Sequence, residues 1–292
     1  MTFRYLLPLA LLVAAAPAAR AQTSVSLGLR LGGNLATRAG DDPTYKPTSN
    51  NGASPPNISQ DYKRTALLAP QFGAVLDVRF GKLAVQPAVL FSQKGADQRL
   101  TVTSSNNSSP NFSYVSTDKY HTISRPNYLE IPLNVVYTSG EDHGFQLFAG
   151  PYVAFGLGGR AEYENEGYSS STGGGGTLYN SYWNYLTTLV QYKDDFPGPP
   201  AAFLTNPNPN SNNNFIGPTP FFASSGAVVA RRFDAGLNAG VGYRLGPWQA
   251  QLGYGLGLIN QQPGKAATHR DDLPAYYQRV VQLSATYFVK TK

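Results

Sequence analysis

The sequence predicts an all-β fold: an eight-stranded antiparallel up-and-down transmembrane β-barrel with short periplasmic turns and long extracellular loops. Three observations lead to this prediction. Apolar residues alternate with small or polar residues along eight segments, as they do when successive side chains point to opposite faces of a sheet. The connections between these segments alternate between short and long. A short apolar leader at the N-terminus indicates export.

Composition excludes several classes of function. The chain of 292 residues contains no cysteine, which excludes a disulfide framework and thiolate metal sites. Charged residues make up 14% of the chain, against roughly 25% in ordinary soluble domains, whereas 30 Gly, 19 Tyr and 15 Phe favour strands and close backbone packing. The formal net charge of +6 arises without a Lys/Arg-rich run, so nucleic acid is not an expected partner.

Residues 1–21 have the features of a secretory signal peptide. Arg4 supplies the positive n-region, an apolar run extends from Leu6 to Ala16, and Ala19-Arg20-Ala21 forms a small-x-small cleavage site. The apolar run is shorter than the roughly 20 residues that a membrane-spanning helix needs. We therefore expect residues 1–21 to be removed, which leaves residues 22–292 as the barrel domain.

Eight segments have a period of two. Their apolar faces extend over Val25–Leu31, Leu68–Phe80, Leu83–Phe91, Leu129–Tyr137, Phe145–Leu157, Phe233–Leu245, Trp248–Leu258 and Val281–Val289. Most of these segments match or exceed the roughly 9 to 11 residues of a tilted bilayer crossing, whereas globular strands typically have about 5 or 6. Strand length therefore favours a membrane barrel.

The same alternation would also fit a soluble barrel whose apolar face points inward, so other features must decide. Aromatic residues beside the short turns favour the membrane, because an interfacial girdle lies there. Glycines on the polar face are expected where eight strands surround a narrow interior. The girdle residues are Phe80, Tyr137, Phe145, Tyr243, Trp248 and Tyr287, and the glycines are Gly28, Gly73, Gly150, Gly236, Gly240, Gly253 and Gly255. We predict that the apolar face contacts outer-membrane lipid.

Short and long connections alternate along the chain. The short ones are residues 80–82, 138–144 and 245–247, and the long ones are residues 38–65, 95–125, 160–228 and 260–276. In a meander this places every short turn at one end, which is periplasmic in outer-membrane barrels. In the extracellular loop 160–228, apolar residues between Tyr179 and Val190 recur at helical spacing and predict one amphipathic helix. A further strand pair in this loop is the alternative and would give ten strands.

Several phrases in the strands resemble the PorT-like outer membrane β-barrel proteins of Bacteroidota. They lie at residues 28–35, 85–95, 128–133, 149–152 and 233–258, and include QPAVLFSQKG and YLEIPLN. The resemblance covers nearly every predicted strand and implies an outer-membrane barrel. Most members of that family have no assigned activity, so a secretion-associated barrel is an alternative to a structural or ligand-binding barrel.

Seven charged residues have interior parity in this barrel: Arg30, Asp77, Arg79, Glu130, Arg232, Asp234 and Arg244. Charges of both signs in a low-dielectric interior are expected to pair, because an unpaired buried charge is costly. They predict a structural polar network in the lumen. An eight-stranded barrel is just wide enough for side chains to fill, whereas water-filled porins need about 16 strands. A general diffusion pore is therefore not expected, and a narrow channel is the alternative.

No catalytic, cofactor-binding or metal site is expected. Of the three histidines, His121, His143 and His269, only His269 has nearby carboxylates, in Asp271 and Asp272. Together with Asp41 and Asp42 it could form a rim hydrolase site, in which a carboxylate orients a histidine that activates water. Hydrated loop charges are the simpler interpretation. No Gly-x-Ser-x-Gly, His-Glu-x-x-His or phosphate-loop motif accompanies these residues.

The last predicted strand carries an expected assembly signal. Tyr287 has lipid-face parity and Phe288 follows it, with four residues between Phe288 and the C-terminus. The barrel assembly machinery of related proteins recognises a terminal aromatic strand, so that machinery is an expected partner. The other expected partners are outer-membrane lipid and an extracellular ligand or secretion component.

Overall fold

The computed structural model describes residues 23–42, 57–109, 112–140, 142–173, 176–192, 228–262 and 275–290. These residues form β1 (Thr23–Gly40), β2 (Asn57–Thr65), β3 (Leu67–Phe80), β4 (Leu83–Gln93), β5 (Ala96–Ser109), β6 (Phe112–Thr138), β7 (His143–Gly173), β8 (Gly176–Tyr192), β9 (Val228–Ala230), β10 (Phe233–Leu245), β11 (Trp248–Gly257) and β12 (Tyr276–Lys290). A search of the described residues for a helix long and apolar enough to cross a membrane finds none. The predicted signal peptide lies outside the described residues.

Eight of these strands close into an antiparallel ring. In order around the ring they are β1, β3, β4, β6, β7, β10, β11 and β12, and β12 pairs back with β1. Each of them contains one of the eight segments whose period of two predicted a strand, except that Leu258 lies one residue beyond the end of β11. The predicted all-β, eight-stranded antiparallel arrangement is confirmed.

The alternation places apolar side chains outside the ring and polar ones inside. In β1, Leu29 and Leu31 are 70% and 69% exposed, whereas Arg30 between them is 6% exposed. The other ring strands repeat this pattern, with Leu68 and Phe145 among the most exposed apolar side chains. A continuous apolar outer surface of this kind marks contact with another apolar phase.

The inward glycines make room for aromatic rings in the lumen. A Cβ atom on Gly240 would lie 2.6 Å from Cζ of Phe148 and 2.3 Å from the carbonyl oxygen of Leu252. A Cβ atom on Gly28 would lie 2.7 Å from Cδ1 of Phe288. These contacts are too short for any larger residue, so the glycines are required for the rings to lie inside.

Two of the short turns also need glycine. Gly81 joins β3 to β4 and Gly246 joins β10 to β11, with φ angles of 62° and 56°. This left-handed conformation is open to glycine without strain. These turns define one end of the ring, which we call the short-turn end, and the opposite end is the long-connection end.

Strands β6 and β7 continue beyond the ring at the long-connection end, where three further strands extend the sheet. We call this region the upper sheet; it consists of β2, β5, residues 112–127 of β6, residues 158–173 of β7, and β8, paired in that order. The long connections were predicted as loops, and this prediction is wrong for the parts that form these strands. Strands β6 and β7 have 27 and 31 residues because they belong to both sheets.

The predicted amphipathic helix between Tyr179 and Val190 is also wrong. These residues lie in β8, which pairs with β7 in a continuous register from Arg160 opposite Leu189 to Gly173 opposite Gly176. An isolated helix of this length is marginal, whereas the edge of β7 offers hydrogen-bond partners to a segment rich in Tyr, Trp and Thr. Strand β8 pairs with β7 outside the ring, so the ring keeps eight strands.

A β-bulge marks the junction between ring and upper sheet. Tyr128 of β6 lies opposite Gly156 of β7, but Asn127 lies opposite Gly158, which leaves Leu157 as an extra residue. Because side chains alternate with a period of two, the extra residue changes which positions of β7 point outward. Odd-numbered residues point outward below the bulge, and even-numbered residues such as Arg160 point outward above it.

Replacing Gly240 with alanine tests the packing of the lumen. We expect Gly240→Ala to lower the free energy of unfolding by about 1–3 kcal/mol, because the new methyl group overlaps the Phe148 ring and a backbone oxygen. The control is Gly33→Ala in β1, whose Cβ atom would have its nearest neighbour at 3.5 Å. Urea titration in detergent, followed on unboiled gels, measures the free energy of unfolding of both variants. Equal stability of the two variants would contradict this account.

Candidate functional site

The inward side chains form a charged cluster near the short-turn end. Asp77 accepts a hydrogen bond of 2.7 Å from Arg244 and one of 3.5 Å from Arg79. Its other carboxylate oxygen accepts a 2.9 Å hydrogen bond from Gln86, which also bonds to Gln249. Both arginines and the carboxylate are buried. Strands β3, β4, β10 and β11 are thereby joined across the lumen.

A second charged cluster lies near the long-connection end. Lys94 forms ion pairs of 3.0 Å with Glu130 and 3.4 Å with Asp234, and all three side chains are at most 1% exposed. The two Asp234 oxygens also accept hydrogen bonds from the Tyr152 hydroxyl at 3.1 Å and from Gln261 at 3.2 Å. The ammonium group lies 4.4 Å from the Tyr152 ring centroid, within cation–π distance.

A polar layer that contains the Arg30 guanidinium lies between the two clusters. Arg30 donates hydrogen bonds to Thr286 at 3.1 Å and to Gln251 at 2.8 Å. A cavity of about 10 Å³ lies beside it, lined partly by Asn134 and Asn238. This volume is about that of one water molecule. The space beside Arg30 therefore holds about one water molecule.

Six of the seven residues predicted for the lumen lie there: Arg30, Asp77, Arg79, Glu130, Asp234 and Arg244. Arg232 does not. It is exposed and lies in a bend before β10, where its backbone oxygen accepts a hydrogen bond from Gly156. The parity argument assumed a continuous strand through Arg232, but strand alternation begins only at Phe233.

Lys94, the cation at the centre of the long-connection cluster, was not among the residues predicted for the lumen. A signal for it was present. In β4 the inward positions are even-numbered, among them Gln86, Leu90 and Ser92, and Lys94 continues this series one residue beyond the strand. Extending the alternation past the apolar segment would have placed Lys94 in the lumen.

The two aromatic residues of the expected assembly signal lie on opposite faces of β12. Tyr287 is 43% exposed on the outer surface, where its ring lies 4.8 Å from that of Trp248. Phe288 is 2% exposed and packs inside the ring, 4.6 Å from the Arg244 guanidinium. Phe288 therefore belongs to the lumen packing, and recognition by assembly machinery stays a prediction.

The inner face of the upper sheet carries an apolar cluster. Leu100 and Val102 of β5 pack with Tyr120 of β6, and Ile58 and Tyr62 of β2 complete this cluster from the edge strand. Burial of these side chains gives the upper sheet a hydrophobic core of its own. Five strands with an apolar face can be stable where an isolated hairpin would not be.

The outer face of the upper sheet is polar and charged. His121 lies between two carboxylates, with Nε2 2.9 Å from Asp97 and Nδ1 3.5 Å from Glu164. The Trp183 indole N–H donates a 2.9 Å hydrogen bond to Glu164, and this bond holds the pKa of that carboxyl below its ordinary value. Both ring nitrogens of His121 face a carboxylate, so neither is placed to activate water.

Of the residues in the rim-hydrolase alternative, Asp41 and Asp42 lie within the described structure. Asp42 forms an ion pair of 2.7 Å with Arg64 of β2, whose other nitrogen donates to the carbonyl of Gly40. His143 is exposed at the start of β7, at the short-turn end. His269, Asp271 and Asp272 lie outside the described residues, so the structure offers no geometry for this alternative.

Comparison with known proteins places the chain in a family. The sequence profile of the family described as "Outer membrane protein beta-barrel domain" matches residues 20–261. This chain belongs to that family. It is therefore an outer-membrane protein, and the ring of eight strands is its barrel. No curated protein sequence matches the chain.

Some solved outer-membrane channels are distantly similar in structure. The TodX deltaS2S3 mutant monoaromatic hydrocarbon channel has 7% sequence identity and a TM-score of 0.22, with 92% of this chain and 91% of that chain covered. The CymD monoaromatic hydrocarbon channel has 9% identity and a TM-score of 0.17, with 91% and 89% covered. The Pseudomonas putida toluene transporter TodX has 7% identity and a TM-score of 0.19, with 91% and 89% covered. Values this low do not transfer a role to this chain.

Removing the Lys94 ammonium should destabilise the barrel strongly. Lys94→Met leaves the buried Glu130 and Asp234 without their shared cation, a change that costs about 3–5 kcal/mol when a buried ion pair is broken. The exposed pair of Lys63 and Asp61 provides the control, because Lys63→Met should cost at most about 1 kcal/mol.

A third variant separates charge from packing. Lys94→Met combined with Glu130→Gln and Asp234→Asn removes the two uncompensated charges and should recover part of the lost stability. Urea unfolding in detergent micelles, followed by tryptophan fluorescence, compares the variants. If Lys94→Met were as stable as Lys63→Met, the ion pairs would not hold the lumen together.

Proposed function

We propose that this protein is a non-conducting outer-membrane barrel that presents its upper sheet outside the cell as a binding surface, without catalytic activity. The observation that carries this proposal is the combination of a filled lumen with a large sheet beyond it. The lumen is crossed by two clusters of ion pairs. A barrel built to conduct would need an open path between them.

Strand lengths support a projecting binding surface. With about 3.3 Å per residue, the 31 residues of β7 extend about 100 Å. A tilted strand crosses the hydrocarbon in roughly 9 to 11 residues. More than half of β7 is thus left for regions outside the hydrocarbon. Short turns lie on the periplasmic side in this class of barrel, and this rule supports an upper sheet that lies outside the cell.

The outer face of the upper sheet carries exposed aromatic side chains. Tyr168 and Tyr179 are 50% and 69% exposed, and their ring centroids lie 6.2 Å apart with an angle of 29° between the ring planes. Trp183 is 62% exposed. Aromatic residues with a polar atom are enriched in binding surfaces, because one side chain offers both an apolar face and a hydrogen bond. A secretion-associated barrel like those of the PorT-like family would use such a surface for a protein partner.

Conductance distinguishes the proposed function from the narrow channel. We expect the purified full chain to give no discrete current steps in planar bilayers, because the charged clusters and the small cavity leave no continuous path. The Lys94→Met, Glu130→Gln, Asp234→Asn variant serves as a comparison with fewer charges. Discrete steps in the native protein that change size in Glu130→Gln or Arg30→Gln would overturn the proposal in favour of a channel.

Single-cysteine labelling tests the orientation of the upper sheet. The chain contains no cysteine, so Ser181→Cys in β8 and Lys82→Cys in a short turn each introduce one unique thiol. Both native side chains are exposed. A membrane-impermeant maleimide should label Ser181→Cys in intact cells and Lys82→Cys only after the outer membrane is permeabilised. The reverse result would place the upper sheet in the periplasm.

A further inference from the structure

The outer surface changes from apolar to charged within a few residues at the junction of ring and upper sheet. On β7 the last exposed apolar side chains before the upper sheet are Phe155 and Leu157, at 42% and 60%. Gln93 and Asn127 follow at the next level and share a 2.8 Å hydrogen bond. This sequence of side chains marks the limit of the hydrocarbon region on this side of the barrel.

Two arginines lie directly opposite each other at the first charged level above this limit. Arg125 of β6 is the register partner of Arg160 of β7. Both point outward, because the bulge at Leu157 turns the even-numbered positions of β7 to the outer face. Like charges directly opposite each other in a sheet are destabilising. An arrangement of this kind is stabilised when an anion binds between the two cations.

The protein itself compensates only part of this charge. Glu162 lies 3.5 Å from the Arg125 guanidinium. The Arg160 side chain is exposed, and none of the described residues brings a carboxylate within 4 Å of it. Within the described part of the chain, the Arg160 guanidinium therefore has no carboxylate partner on the outer face.

We propose that Arg125 and Arg160 bind the phosphate group of a phosphorylated lipid headgroup. Guanidinium groups bind phosphate through two parallel hydrogen bonds, and two opposed arginines supply two such forks. The site lies on the lipid-facing side immediately above the apolar surface, so the acyl chains of the same lipid would pack on Phe155 and Leu157. The orientation proposed above assigns this lipid to the outer leaflet, but the site itself does not depend on that orientation.

Binding of lipid A to the purified full chain in detergent micelles tests this proposal. The variants are Arg160→Gln and the double variant Arg125→Gln, Arg160→Gln. The control is Lys119→Gln, which removes one positive charge from the same face of β6, where Lys119 pairs with Glu166. We expect lipid A to bind the native chain and Lys119→Gln equally, and to bind Arg160→Gln about tenfold more weakly, the factor for loss of a charged hydrogen bond.

The free energy of unfolding in lipid-free micelles is a second measurement. It distinguishes a lipid-binding role of Arg160 from a structural one. In lipid-free micelles Arg160→Gln should be at least as stable as the native chain, because the substitution removes like-charge repulsion. With lipid A present, the native chain should instead be more stable than Arg160→Gln. A loss of stability in lipid-free micelles would assign Arg160 a structural role and overturn the proposal.

Two further probes identify the ligand class. Lipid A from which the phosphates have been removed should not distinguish the native chain from the double variant. Inorganic phosphate at the same concentration should neither stabilise the native chain nor displace lipid A. Equal binding of the dephosphorylated lipid, or full replacement by inorganic phosphate, would overturn a lipid-phosphate site. Neither result depends on the conductance or labelling experiments. The lipid-phosphate site and the proposed function can therefore be contradicted independently of each other.

Discussion

Closure of eight antiparallel strands into a ring is the constraint on which the rest of the structure depends. A ring of this size leaves an interior that side chains just fill, so each inward position must be small, or must fit a neighbour across the lumen. Phe148 shows the effect, because its ring occupies the space that Cβ atoms on Gly240 and Gly253 would need. The charges obey the same constraint. Lys94 can be buried because Glu130 and Asp234 project from two other strands to within 3.4 Å of it.

The ring could be predicted from the sequence because its two faces meet different surroundings. Lipid on one side and a packed polar interior on the other impose a strict period of two, and all eight strands show it. Most of the charged lumen follows from the same parity. The rule fails where a strand is interrupted: Arg232 lies in a bend, so its parity with Asp234 carries no information about its direction. Lys94 was predictable, because it continues the inward series of β4.

The upper sheet was not predictable in this way, because its faces differ less in polarity. Strand β2 contains Ser59, Gln60 and Asp61 in succession, a sequence that reads as a loop. The conformation of such a strand is determined by the neighbour with which it pairs. Strand β2 pairs with β5 without a break from Asn57 to Thr65. The apolar residues of β8 have helical spacing by coincidence. Their conformation is set by the edge of β7, and a single-sequence pattern contains no information about that edge.

The bulge at Leu157 lies where the ring passes into the upper sheet. Without an extra residue, the outward positions of β7 would remain odd-numbered throughout. Ala161 and Tyr163 would then face outward, and Arg160, Glu162 and Glu164 would face inward. With the bulge, Tyr163 packs against the inner cluster of the upper sheet, and the charged series lies on the outer face. One inserted residue therefore lets the same strand meet lipid below the junction and water above it while keeping an apolar inner face in the upper sheet. Through the register of β6 and β7, the bulge at Leu157 sets the level at which the outer face changes from the apolar residues of the ring to the charged residues of the upper sheet.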